Sequence, residues 1–304
     1  MQILHRRQHF RGSSTIHGVR LITSDPNTDA AFLLDVSATY PSITVNWGDG
    51  SAPETYTTDG LKSHTYASAG TYDVTVTGSC VSWSWYGTGT TGALLRAILG
   101  LGYDCVFTTS ASMFRGCTGL TGSIPALPST LTSGVRMFYE CTNLTGAVPA
   151  LPSGLTSGAD MFTNTGLTGS IPALPNSLGT ISQMFKTCTG LTGSIPALPS
   201  NLTVGDQAFF GCTGLTGSIP ALPSSLTNGN YMFRNCSKLT GSLPDMDANE
   251  GPLENVTLMF AGCPLLEGPS YPFWDWTDAP DAVTGCYRGC TGLTDYATIP
   301  AAYL

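Results

Sequence analysis

The chain has 304 residues, 41% hydrophobic and only 11% charged, with 36 Gly and 20 Pro. So few charges and so many helix breakers exclude a helix bundle or coiled coil, and the apolar content excludes charge-driven disorder. A net charge of −8 argues against non-specific binding to nucleic acid.

The charge is unevenly placed. Arg6, Arg7, Arg11 and Arg20 all precede the first acid, Asp25, so residues 1–27 read as a basic arm for docking on a partner, or as a solvated tail. Met1–Phe10 is basic but lacks the roughly 7–15-residue apolar core of a secretory signal. No stretch reaches the roughly 18 apolar residues of a membrane span, so membrane insertion is not expected.

Short β-rich runs come next, at Ala31–Ala38, Ile43–Trp47, Thr55–Thr57 and Thr71–Thr77, separated by turn residues. Gly48-Asp49-Gly50 is a hairpin signal. The strings WGDGS (47–51) and HTYASAGTYDVTVTG (64–78) resemble the PKD-type immunoglobulin-like domain. The resemblance spans 28–79 and implies a small β-sandwich in which His64 packs and hydrogen-bonds. Residues 80–112 read as a connector. Within it, Val81, Trp83 and Trp85 share one face of a strand, and ALLRAILGLG forms an irregular coil capping the C-terminal part of the chain.

From residue 113 the chain repeats itself. Five units begin at Met113, Met137, Met161, Met184 and Ala208 with a period of 24, one of them shortened to 23 and lacking its Cys; degenerate units start at Met232, Met259 and Cys286. Met113, Cys117 and Leu120 have i, i+4, i+7 spacing, which predicts a short helical turn with one buried face. Gly119 and its equivalents then read as left-handed residues ending that turn. Pro125 and Pro128 force extended chain. A unit this short buries its apolar face only by stacking on its copies.

The string AFFGCTGLTGSIPALPSSLT (208–227) resembles the BspA-like leucine-rich repeat, in its Phe, Cys, Leu, Ile-Pro and Leu positions. The implied fold is mainly β: a small immunoglobulin-like β-sandwich, then a leucine-rich-repeat solenoid of 24-residue units over 113–260, with degenerate repeats and a C-terminal cap over 261–304.

The chemistry-bearing residues are sparse. Six Cys share one repeat column (117, 141, 188, 212, 236, 263), and Cys290 continues it. A buried thiol ladder is the favoured reading. Disulfides Cys80–Cys105 and Cys286–Cys290 are the alternatives. No zinc spacing, catalytic motif or cofactor signature appears, so a non-enzymatic role is expected. Asp245, Asp247 and Asn249 alternate as in a calcium loop, but the Gly falls one position late, and a solvated acidic loop is the competing reading.

Variation between units is concentrated just after the Phe and just before the Met. Packing does not restrain those columns, so they point outward and offer a ligand-facing stripe: Tyr139, Lys186, Phe210, Tyr231 and Arg234. Neutral drift on a solvated face is the other explanation. Trp274 and Trp276, among carboxylates, read either as a second ligand site or as a hydrophobic cap.

Both modules resemble extracellular recognition domains, yet no secretory signal is seen. Phage virion proteins reach the outside by lysis. The expectation is therefore a virion component (tail fibre, tail tip or capsid surface). It would dock on other virion proteins by its N-terminus, act within an oligomeric assembly, and expose the repeats to a host-surface glycan or protein. A bacterial cell-surface adhesin and a purely structural virion decoration are the alternatives.

Overall fold

The computed structural model describes residues 17–35, 39, 42–80, 82–85, 91–101, 111–246, 252–275 and 279–304. The N-terminal unit holds eight strands: β1 (His17–Thr23), β2 (Thr28–Asp35), β3 (Ser42–Asn46), β4 (Glu54–Tyr56), β5 (Gly60–Tyr66), β6 (Gly70–Ser79), β7 (Ser82–Ser84) and β8 (Leu95–Leu101). They form a five-stranded sheet, β4-β3-β6-β1-β8, and a three-stranded sheet, β5-β2-β7. Each pairing is antiparallel. Alternation decides which side faces in: Ile43 and Val45 of β3 and Val74 and Val76 of β6 are buried. Phe32 of β2 sits between the sheets, 5.8 Å from the Trp47 ring, 6.0 Å from Trp83 and 5.5 Å from Trp85.

This unit is larger than the sequence suggested at both ends. β1 lies between β6 and β8, so residues 17–23 are sheet, not arm. Val19 and Leu21 are buried, and Arg20 between them points outward to Asp73, with its Nε and Nη2 2.6 and 2.8 Å from the two carboxylate oxygens. Arg20 is therefore tied to β6 and is not a free docking group. Arg6, Arg7 and Arg11 lie outside the described residues. The stretch read as connector supplies β7 to one sheet and β8 to the other, through their pairing with β2 and β1. Between them, Thr91–Leu94 is a single helical turn.

The same residues open the repeats. Trp85 N–H donates to the Met113 carbonyl at 2.8 Å, as Phe114 N–H donates to Met137 in the next coil at 2.9 Å. Thr121 N–H donates to Arg96 of β8 at 2.9 Å, as Thr145 does to Gly122 at 2.8 Å. β7 with Trp85, and β8, thus act as the coil before the first repeat.

Successive units stack in parallel. Isolated bridges join Gly122 to Leu144 and Ser133 to Ser157, and recur along the chain. The Phe column forms one continuous stack: from Phe114 to Phe260 neighbouring rings are 5.6–5.9 Å apart and within 12° of parallel. Tyr287 and Phe273 extend it at 5.8 and 6.1 Å. The last coil is covered by the 3-10 turn Ala301–Tyr303, whose Ala302 and Tyr303 carbonyls accept from Gly285 and Tyr287.

The expected helical turn is not a helix. N–H groups alternate: those of Arg115 and Cys117 close locally on Ser112 and Phe114, while those of Phe114 and Gly116 reach the next coil. Left-handed residues, Arg136 (φ 55°) and Glu140 (φ 59°) in one unit, break the helical path on either side of each Met-Phe pair. The i, i+4, i+7 spacing reflects a tight turn that aims three side chains at the core. The glycine reading is corrected too. Gly116 (φ 68°) and Gly122 (φ 77°), not Gly119, are the left-handed glycines of that unit. Gly190 is small because a Cβ there would lie 2.6 Å from the Leu167 carbonyl oxygen of the preceding coil.

Candidate functional site: the charged face of the repeats

The nine described cysteines are all free and buried. Cys286 and Cys290 are not joined, and Cys105 lies outside the described residues. From Cys141 on, each ladder thiol donates to a Phe carbonyl of an earlier coil, as Cys141 does to Phe114 and Cys212 to Phe185, both at 2.9 Å. Thr165 takes the place of the missing Cys, 3.4 Å from Cys188 Sγ. Burial pushes the Cys117 and Cys236 thiols up to about 12. These groups are structural, with no thiolate available at neutral pH.

Asp245 is exposed, while Asp247 and Asn249 lie outside the described residues. Among the described residues no cluster of three His, Cys, Asp or Glu is placed to hold a metal. Trp276 and the Trp274 side chain are likewise outside what is described; the Trp274 backbone belongs to the 3-10 turn Phe273–Asp275. His64 stacks on Trp47 at 5.0 Å and 11°, with Nε2 2.8 Å from Asp49 Oδ2 and Nδ1 3.5 Å from Glu54. The Ser51 hydroxyl is the chief cause that draws the Asp49 carboxyl down to about 2, ahead of His64.

The repeats carry little charge, and almost all of it is on one face. Between residues 111 and 246, seven of the nine charged residues lie within the Met-Phe turns: Arg115, Arg136, Glu140, Asp160, Lys186, Asp206 and Arg234. Lys238 and Asp245 are the two others.

Four of the five stripe residues come together on this face. Lys186, Phe210 and Arg234 follow one another in the same column of three successive coils. Lys186 Nζ is 5.7 Å and the Arg234 guanidinium 5.6 Å from the centre of the Phe210 ring. Arg234 is also 5.1 Å from Tyr231, whose ring is 6.4 Å from Phe210. Lys186 donates to Gln183 Oε1 at 2.9 Å. Asp206 accepts from Asn230 at 3.0 Å and from the Gln207 amide at 3.3 Å.

Tyr139 belongs to a separate patch with Arg115 at 5.3 Å and, nearby, the Arg136–Asp160 pair at 3.2 Å. Burial, then the Glu140 charge, raises its hydroxyl pKa. The intervening coil breaks the stripe. Asp160 and Thr163, expected to point outward, are only 8% and 5% exposed, because Arg136 covers Asp160 and Thr163 turns in to donate to the Gln183 carbonyl. Asp206 and Asn230 were not anticipated, since their column sits one place upstream of the most variable ones. The signal was that Asp206 is the one acid in it.

Residues 108–240 match the family model of the BspA type leucine-rich repeat region, in six copies. That segment is a leucine-rich-repeat region. Such repeats mark surface and adhesion proteins and are typically non-enzymatic. A search of curated proteins and a search of solved structures find no match to the chain. Among the described residues no helix is long and apolar enough to cross a membrane.

Proposed function

We propose that this is a non-enzymatic recognition protein, carried on a phage virion and presenting its leucine-rich repeats to a host surface. The observation that carries the recognition role is the gathering of Lys186, Phe210, Tyr231 and Arg234 onto the one charged face of the repeats. The thiols support the choice of carrier. Nine free cysteines packed in the core suit a chain that folds in a reducing cytosol. Lysis then releases it to the outside without export. The two-sheet unit, with the WGDG turn and the Asp49–His64 contact, is read as a PKD-type immunoglobulin-like domain. It spaces the repeat solenoid from the segment that docks on other virion proteins.

Mass spectrometry of purified particles tests the carrier, and binding of the full chain to host cells tests recognition. Presence in virions and saturable cell binding are expected. A chain found only on bacterial envelopes would replace the virion with a cell-surface adhesin. A chain in virions that binds no cell would be a decoration protein.

A further inference from the structure

We propose that Lys186, Phe210, Tyr231 and Arg234 form a binding site for an acidic polysaccharide; this rests on the recognition role above and names its ligand class. The ion pairs among the described residues are Arg20–Asp73, His64 with Asp49 and Glu54, and Arg136–Asp160. Lys186 and Arg234 are in none of them. Their positions are instead held by the Phe210 ring between them, at 5.7 and 5.6 Å. A ring contact orients a cation without cancelling its charge. The acid of the middle coil, Asp206, is already bonded to Asn230 and Gln207. Two half-buried, pre-positioned positive groups are thus left for an outside anion, and each can take a carboxylate by a charge-assisted hydrogen bond.

The layout selects a polymer. Lys186 and Arg234 stand two coils apart, about 10 Å along the stack at strand spacing. A single small anion does not bridge that distance, whereas a chain with recurrent carboxylates does. Gln207 and Tyr231 flank the cations with an amide oxygen and a hydroxyl suited to sugar hydroxyls. The Phe210 ring already carries a cation on each side in its column, which leaves it poorly placed to stack on a nucleobase. Beyond the arginines that precede Asp25 the chain is acidic, so most of it repels a long polyanion and favours contact at this patch.

The test is titration of the full-length chain with sodium polygalacturonate, neutral dextran and single-stranded DNA at increasing NaCl. Polygalacturonate is expected to bind, more weakly as salt rises, with no binding of dextran. The Lys186→Gln/Arg234→Gln variant should lose roughly tenfold or more in affinity and show a shallower salt dependence. Phe210→Ala should weaken binding with both cations still present. Lys238→Gln removes one positive charge off this face and should bind as wild type, and an unchanged melting temperature should accompany each variant.

Equal binding by wild type and the double variant overturns the proposal. So does equal weakening by Lys238→Gln, or capture of DNA in preference to polygalacturonate. If wild type and the double variant bind host cells alike, this site falls and the recognition role stands. If wild type binds no cell, the recognition role itself falls.

Discussion

Gly205 and Met232 share one volume: a Cβ built on Gly205 would stand 2.8 Å from both Sδ and Cε of the methionine in the next coil. Gly134 with Met161, Gly158 with Met184 and Gly229 with Met259 repeat the relationship. Two places break it from both sides. Ile181 replaces the glycine, and the residue in the methionine column of the following coil is Ala208. Val256 does the same opposite Cys286. The register is preserved throughout, since Gly205, Ile181 and Val256 each donate to the equivalent carbonyl, of Asn228, Val204 and Ala282. Large meets small at each level of the stack.

Gly205→Ile should therefore destabilise the protein by overpacking, by about 1–3 kcal/mol. Met232→Ala alone should cost about 2–5 kcal/mol through the cavity it leaves. The double variant recreates the Ile181–Ala208 pairing and should cost clearly less than the sum of the two. Urea unfolding of the four proteins measures the coupling. Simple additivity would show that the two side chains do not compete for this space.

The thiol column makes a second prediction, on pH. A thiol whose pKa is raised in the fold ionises first in the unfolded chain, near pH 8.5. Its stabilising contribution is whole below that pH and is lost as pH climbs toward the folded values, about 12 for Cys117 and Cys236 and about 11 for Cys290. Stability should fall across that alkaline window, and less steeply when column cysteines are replaced by Ala. In a Cys105→Ser background, a thiol reagent at pH 8 should label no cysteine quickly until the protein is unfolded. Rapid labelling of the native chain would contradict the burial of the column.

The stacking was legible in the sequence because duplication makes it so. Phe, Cys and Leu recur at fixed places, and only a stack buries them all. What the turns do was not legible. A helical spacing and a tight turn aim Met113, Cys117 and Leu120 the same way, and they differ in where the backbone N–H groups go, which is a property of the neighbouring coil. Arg20 shows a related limit. Four arginines before the first acid read as one solvated arm, yet HGVRLIT alternates as a strand, and its partners lie about 50 residues later in β6 and about 80 later in β8. The variable columns led to the charged face. That Thr163 and Asp160 interrupt it depends on which side chains the adjacent coil lays over them.

The placement of β1 makes a third prediction. Leu21 is fully buried on β1, between β6 and β8 of the five-stranded sheet, so Leu21→Ala should cost about 2–5 kcal/mol. Arg20→Ala removes an ion pair that is nearly half exposed on both sides and should shift stability by no more than about 1 kcal/mol. Thermal melts of the two variants separate the cases. A small effect of Leu21→Ala would return residues 17–23 to the arm.

The shared coil makes the last prediction. β7 and β8 complete the two sheets, and Trp85, next after β7, and Arg96 of β8 bond to the first repeat at Met113 and Thr121. Trp85 is 1% exposed and packs on Phe32 of the N-terminal unit while its N–H serves the repeats. Two parts that share a strand and an aromatic core cannot separate without opening both. In a Trp274→Phe/Trp276→Phe background, tryptophan fluorescence reports only Trp47, Trp83 and Trp85, whereas far-ultraviolet circular dichroism is dominated by the longer repeat region. The two transitions should coincide in urea. Trp85→Ala should lower both midpoints together, by about 3–5 kcal/mol in stability. If fluorescence moved and the repeat signal stayed, the N-terminal unit would be an independent domain on a linker, and the repeats would have to supply their own cap.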